Sequence, residues 1–201
     1  MKVIIYDDAN RRPWYVWSCW AVGAWLYRLI RRVDAVYPAQ SWAGALQWLL
    51  SLGKPLAEVQ FWGHGSWGRV LIGSDALNSW TVSTSHVSAL RDLRERLAPG
   101  AIWWFRACQV FGAVPGQRFA VEWCRALDCT VASHTFIIHV WHGGLCVLHP
   151  GDEPGWPVAE GYAAGSRDLP RDAIWARPWS PRTILALRTR IPKRYLRRPD
   201  E

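Results

Sequence analysis

The sequence predicts an α/β fold, a single domain built on a mostly parallel central sheet flanked by helices. Short apolar runs alternate with helical stretches along the first 150 residues, the pattern of successive right-handed βαβ crossovers. The run "AIWWFRAC" (101–108) is apolar almost throughout, as expected of a strand covered on both faces. A length of 201 residues, half of them hydrophobic and 20% charged, fits one domain with a proper core and excludes a disordered chain.

In order, "KVIIY" (2–6) is the first strand, and "ANRRP" (9–13) is the loop that ends it. The uncharged run "PWYVWSCWAVGAWLY" (13–27) follows. Its 15 residues reach about 22 Å as a helix, short of a hydrocarbon core of roughly 30 Å. It reads as a buried amphipathic helix with Trp17, Trp20, Ala21, Ala24 and Tyr27 or Arg28 on one stripe; a membrane-surface helix is the alternative. "DAVYPA" (34–39) is a second strand, and Ser41 caps the helix "WAGALQWLLSLG", which closes on Gly53. "AEVQFWG" (57–63) is the third strand, ending at His64. "RVLIG" (69–73) and "WTVS" (80–83) read as short strands of a small β-hairpin excursion. Ser85 opens the helix "HVSALRDLRERLA" (86–98), and the strand 101–108 comes next. "GQRFAVEWCRALD" (116–128) is a helix and "CTVASH" (129–134) a strand. "TFIIHVWHGGLCVLHPG" (135–151) reads as a β-hairpin around Gly143–Gly144. The organisation is thus an α/β domain over 1–150 and a loop-rich extension over 151–201, with one short helix near "SPRTILALRTR" and a basic tail, packing on the same domain.

The net charge is +8, with basic clusters at 28–32, 91–96 and 188–198. No recognition helix or aromatic-rich binding motif accompanies them, so neither nucleic acid nor membrane is an expected partner. The five cysteines (Cys19, Cys108, Cys124, Cys129, Cys146) form no short-spaced framework and no CxxC pair. That argues against a disulfide scaffold and a structural zinc site. "MKVIIYDD" is a strand followed by acids rather than a signal peptide. Together these predict a reducing, cytoplasmic setting.

In open α/β sheets, chemistry gathers beyond the carboxyl ends of the strands, which selects Asp7, Asp8, His64, Cys108 and His134. "FWGHGSWG" (61–68) sets a histidine among glycines at one strand end, and Cys108 stands at the end of another. If the two strands are neighbours, thiol and imidazole emerge at one rim, the arrangement nucleophilic catalysis needs. Gly63, Gly65 and Gly68 leave room for a peptide backbone and for main-chain N–H donors. Cys19, Cys124, Cys129 and Cys146 lie in apolar patterns and read as small buried hydrophobes. His142-Gly143 repeats the His-Gly pair but follows the cysteine, and no carboxylate–histidine order makes Ser66 a serine nucleophile.

An apolar strand ending in His-Gly, followed by one ending in Ala-Cys, resembles the caspase-like cysteine peptidases of clan CD. Residues 55–135, from "GHGSWG" through "LAPGAIWWFRACQVFG" to "VASH", are most similar to a bacterial caspase-like domain of unassigned function found in large surface proteins. The resemblance implies a caspase-like fold and a cysteine endopeptidase needing no metal or organic cofactor. His64 would be the general acid/base, Cys108 the nucleophile, and the Gly65 and Cys108 N–H groups the oxyanion donors. Its expected partners are a protein or peptide substrate and, for activation, a partner protein. The chain is expected to depart from the pattern in standing free and lacking a signal peptide, and it carries Arg106 two residues before the cysteine. In that family the position lines the pocket before the cleaved bond. Arg106, with Arg11 or Arg12, therefore predicts an acidic residue there; Asp7 and Asp8 would instead select a basic one or simply neutralise Arg106. His134 is a candidate for the border of the substrate groove, with a core or edge position as the alternative. The alternatives are an inactive caspase-like module that binds a partner without cutting, and a membrane- or nucleic-acid-associated adaptor.

Overall fold

Val3, Ile4 and Ile5 are all fully buried, so the first strand is covered on both faces, as its unbroken apolar run requires. The computed structural model describes residues 1–197; Arg198, the end of the basic tail, and residues 199–201 lie outside the described residues. The chain runs β1 (Lys2–Asp7), α1 (Trp14–Leu29), β2 (Ala35–Ala39), α2 (Trp42–Ser51) and β3 (Leu56–Trp62). Ser41 caps α2 as expected, its side chain accepting the Gly44 N–H at 3.1 Å.

Next come β4 (His64–Ser66), β5 (Arg69–Ile72) and β6 (Asp75–Asn78), a three-stranded antiparallel sheet. The predicted strand "WTVS" is instead the helix α3 (Ser79–Ser83). Asn78 accepts the Trp80 and Thr81 N–H groups while its own N–H donates to the Thr81 hydroxyl. That capping box overrides the β-propensity of Thr and Val. α4 (Val87–Arg94), β7 (Leu97–Arg106), α5 (Ala113–Leu127) and β8 (Thr130–His134) follow. α5 starts three residues before the predicted Gly116, with Pro115 in the first turn where it breaks no helical hydrogen bond.

The remaining elements are β9 (Trp141–His142), β10 (Leu145–Leu148), β11 (Tyr162–Gly165), β12 (Pro170–Ala173), β13 (Ile184–Leu185) and α6 (Lys193–Leu196). The hairpin expected around Gly143–Gly144 does not form. β10 runs antiparallel to β8, and β9 pairs with β13. Burying Leu145, Cys146 and Leu148 in the main sheet outweighs the local turn signal. The helix predicted near 180–190 is also absent: Ile184 turns inward in β13, and the short helix starts only after Pro192.

The central sheet has six strands in the order β2-β1-β3-β7-β8-β10. All neighbours are parallel except β10 on β8. One face (Val3, Ile5, Val59, Phe61, Trp103, Phe105) packs with residues of α2, α4 and α5 in the main core. On the other, α1 covers Ile4 and Trp62 through Ala24 and Tyr27. Residues 184–196 cover Trp104, Ala132 and Leu145 beside it. The C-terminal segment thus completes the domain. Trp156 stacks on Phe111 (5.5 Å, 7°) and donates its indole N–H to the Phe111 carbonyl at 2.8 Å.

Candidate functional site

The two chemistry-bearing strands are neighbours in mid-sheet. β3 pairs with β7 in parallel, Trp62 opposite Arg106, so His64 and Cys108 each follow their strand by two residues at the same carboxyl rim. The turns that carry them are in contact. A Cβ built on Gly65 would lie 2.8 Å from the Cys108 carbonyl oxygen and 2.5 Å from Val110 Cγ2, so only glycine admits the approach. The Gly68 N–H also donates to the Val110 carbonyl at 3.0 Å, with Gly68 in the left-handed region at φ +70°.

The loop after Cys108 is fixed from the other side too. Gln109 N–H donates to the Phe136 carbonyl at 2.9 Å and Phe111 N–H to the His134 carbonyl at 3.0 Å. Gln109, directly after the cysteine, holds φ +46°, a conformation costly for a residue with a Cβ. The Cys108 thiol is partly buried and donates weakly to the Ile138 carbonyl at 3.8 Å. Burial pushes its pKa up, and the Ile138 contact only partly offsets this. The thiol is therefore protonated at neutral pH. The half-buried His64 ring sits edge-on to Trp20 of α1, 4.9 Å between centroids. Trp20 lies on the predicted α1 stripe, but its contact with the histidine depends on how α1 crosses the sheet.

The predicted specificity residues fare differently. Arg106 does not line an open pocket. Only 6% exposed, its guanidinium lies between the Trp62 and Trp104 rings, 4.5 and 4.6 Å from their centroids. It donates to Gln60 Oε1 at 3.3 Å and to the Ala186 carbonyl of the C-terminal segment. Burial lowers its pKa, opposed by the Tyr27 hydroxyl and the Glu58 carboxylate. His134 is not at a groove either. It is fully buried, with Nδ1–H donating to the Gly143 carbonyl (3.2 Å) and Nε2 accepting from the Trp104 indole (3.4 Å). Burial brings its pKa down to about 3, so it stays neutral and structural.

Asp7 and Asp8 are likewise committed inward. Asp8 bonds Arg11, the Trp17 indole and the Gln40 amide. Asp7 is fully buried, and its Oδ1 accepts the N–H groups of Ala9, Asn10 and Gly73 at 3.0, 3.2 and 3.1 Å. It ties the β5–β6 turn to the end of β1. Its Oδ2 has no partner, and burial raises its pKa against those three donors and the nearby His64. A raised carboxyl pKa means the folded chain holds this proton to higher pH than the unfolded chain, whose Asp titrates at about 3.9. Wild type should therefore gain stability relative to Asp7→Asn as pH falls from 7 towards 4. Paired urea titrations across that range check this; a constant difference would contradict it. Arg11 and Arg12 alone of the predicted specificity residues are exposed, Arg11 standing 5.0 Å over the Trp17 ring.

Among the described residues no three His, Cys, Asp or Glu side chains converge so as to hold a metal ion. Cys124, Cys129 and Cys146 are buried as predicted, whereas Cys19 is exposed. No protein-family model matches the chain, and neither the curated proteins nor the solved structures compared with it include a match.

Proposed function

We propose that the protein is a caspase-like cysteine endopeptidase acting through Cys108 and His64. The observation that carries this is the contact of the two turns at the adjacent carboxyl ends of β3 and β7, sealed by Gly65 against the Cys108 carbonyl. Supporting it, the left-handed Gln109 beside the cysteine is strain of the kind stored where a reactive group must be held in place.

Because burial keeps the thiol protonated, His64 takes the Cys108 proton as the sulfur attacks the substrate carbonyl. The C–S bond forms, and the carbonyl oxygen becomes an oxyanion facing the Gly65 and Cys108 N–H groups. His64 then returns the proton to the leaving amine as the C–N bond breaks, and water attacks the acyl-enzyme, passing a proton through His64 to the sulfur as the C–S bond breaks and the acid leaves. With Arg106 sealed inside, the preference for an acidic residue before the cut rests on Arg11 and Arg12.

Screening a peptide library should show cleavage that falls at least about a thousandfold in Cys108→Ala, with the urea midpoint nearly unchanged. His64→Ala should suppress both cleavage and alkylation of Cys108. Cleavage surviving in Cys108→Ala would refute this nucleophile. The protonated thiol also favours a second reading, a caspase-like module that binds a partner without cutting. It predicts no turnover by wild type and slow alkylation of Cys108, unaffected by His64→Ala.

A further inference from the structure

α1 buries only one of its faces. Tyr15, Cys19, Val22, Leu26 and Leu29 are all exposed at the 4-, 3-, 4- and 3-residue spacing of a single helical stripe. Trp25 beside them is 62% exposed. A face this apolar on a water-facing helix marks a docking surface. Among the described residues no helix is long and apolar enough to cross a membrane, so the face is suited to lying on a surface rather than spanning a bilayer.

Charge identifies the surface. Segments 11–33 and 173–197 carry five and seven Lys and Arg, twelve of the chain's 24, and contain no Asp or Glu. The rest of the chain holds the other twelve cations against all 16 acids. The cation-rich segments are neighbours in space, because α1 and residues 184–196 cover adjoining halves of the same sheet face. Arg106 bridges the seam by cation–π contact with Tyr27 of α1 (5.9 Å) and its bond to Ala186. Arg28, Arg31 and Arg32 of the first segment and Arg188, Arg190 and Arg194 of the second are exposed, as is Leu187 at 79%.

From this juxtaposition we infer that the outer face of α1, with the adjoining basic C-terminal segment, docks on the surface of an anionic phospholipid bilayer. The Trp25–Leu29 stripe enters the headgroup–acyl boundary while the arginines meet the lipid phosphates. A nucleic acid would use the cations but leave the aliphatic stripe in water; a second copy would bring like-charged arginines together. A bilayer accommodates both features. The site is independent of the proposed peptidase chemistry at the sheet rim.

Flotation of the full chain with vesicles of phosphatidylcholine, with and without 30% phosphatidylserine, tests the inference. Partitioning should be at least tenfold stronger on the anionic vesicles and should weaken steeply with salt. An environment-sensitive fluorophore on Cys19, in the Cys108→Ala background, should shift to the blue on binding. Trp25→Glu and Leu29→Glu should each cut partitioning about tenfold while far-UV circular dichroism and the urea midpoint hold, because both residues are exposed. Equal partitioning to the two vesicle types would overturn the inference, as would binding unaffected by both variants. Nucleic-acid binding without vesicle binding, or a dimer that Leu29→Glu dissolves and that ignores vesicles, would do the same.

Discussion

Arg106→Ala is expected to destabilise the fold by about 3–5 kcal/mol, the range for removing one member of a buried charge network. The guanidinium fills the space between Trp62 and Trp104, so truncation opens a cavity between two indoles. It also terminates a buried polar chain. Lys2 Nζ pairs with Glu58 at 2.9 Å, and the Gln60 amide donates to Glu58 at 2.6 Å. Gln60 Oε1 in turn accepts from the Trp62 indole at 3.0 Å and from Arg106 at 3.3 Å. Without Arg106 the Ala186 carbonyl loses a donor and Gln60 Oε1 keeps only the Trp62 indole, so both acceptors are left less satisfied. Arg106→Met should cost less, about 1–3 kcal/mol, because it refills the volume and forfeits only the polar bonds. Urea unfolding of the three proteins gives the comparison. A pocket residue would behave in the opposite way, altering cleavage while leaving the midpoint in place. An unchanged midpoint in Arg106→Ala would show that this cation is not a structural element of the seam.

Arg106 also shows where sequence reasoning stops. Order and polarity along the chain point to β1, β3, β7 and β8 as strands of a mostly parallel sheet and put His64 and Cys108 just past carboxyl ends. Those inferences need only the strand period and the rule for carboxyl ends. That β3 and β7 are neighbours, so that both share one rim, is read only from the structure. Whether a polar residue at a strand end faces solvent depends on what covers it. For Arg106 the cover is Ala186, 80 residues later, in a segment without strong periodicity. His134 is hidden similarly: its partner is the Gly143 carbonyl, and the Gly143–Gly144 pair looked like a local hairpin turn. Asp7 reads as a free carboxylate because an Asx-type clamp on three amides has no signature beyond Asp followed by a loop, and Asp8 because its partners Arg11, Trp17 and Gln40 are side chains that only the folded chain brings to it. α1 was legible on its inner stripe. Its bare outer face was not, since a Trp-rich run looks equally apolar whether one side is covered or two.

Gly65→Ala is expected to act on both proposed catalytic side chains at once. A Cβ there would stand 2.5 Å from Val110 Cγ2, 2.8 Å from the Cys108 carbonyl oxygen and 2.9 Å from Ala107 Cβ. Ala107 and Val110 are buried, and the Cys108 loop is anchored to the end of β8 through Phe111 and to Phe136 just beyond it through Gln109. None of the three can yield as a flexible side-chain tip would. The β4 turn and the Cys108 loop must therefore part by several tenths of an ångström, straining the Gly68–Val110 bond between them. Overpacking of this kind costs about 1–3 kcal/mol. A displacement approaching 1 Å between two reacting groups can lower a rate about a hundredfold. Gly53→Ala is the control, since nothing lies within 4 Å of a Cβ there; its stability should stay within about 0.5 kcal/mol of wild type. If Gly65→Ala lowers the urea midpoint and cleavage falls by the larger factor under fully folded conditions, the loss lies in the relation between His64 and Cys108. Cleavage that merely tracks the folded fraction would show that the approach of the two turns matters to stability alone, and would remove the observation on which the dyad rests.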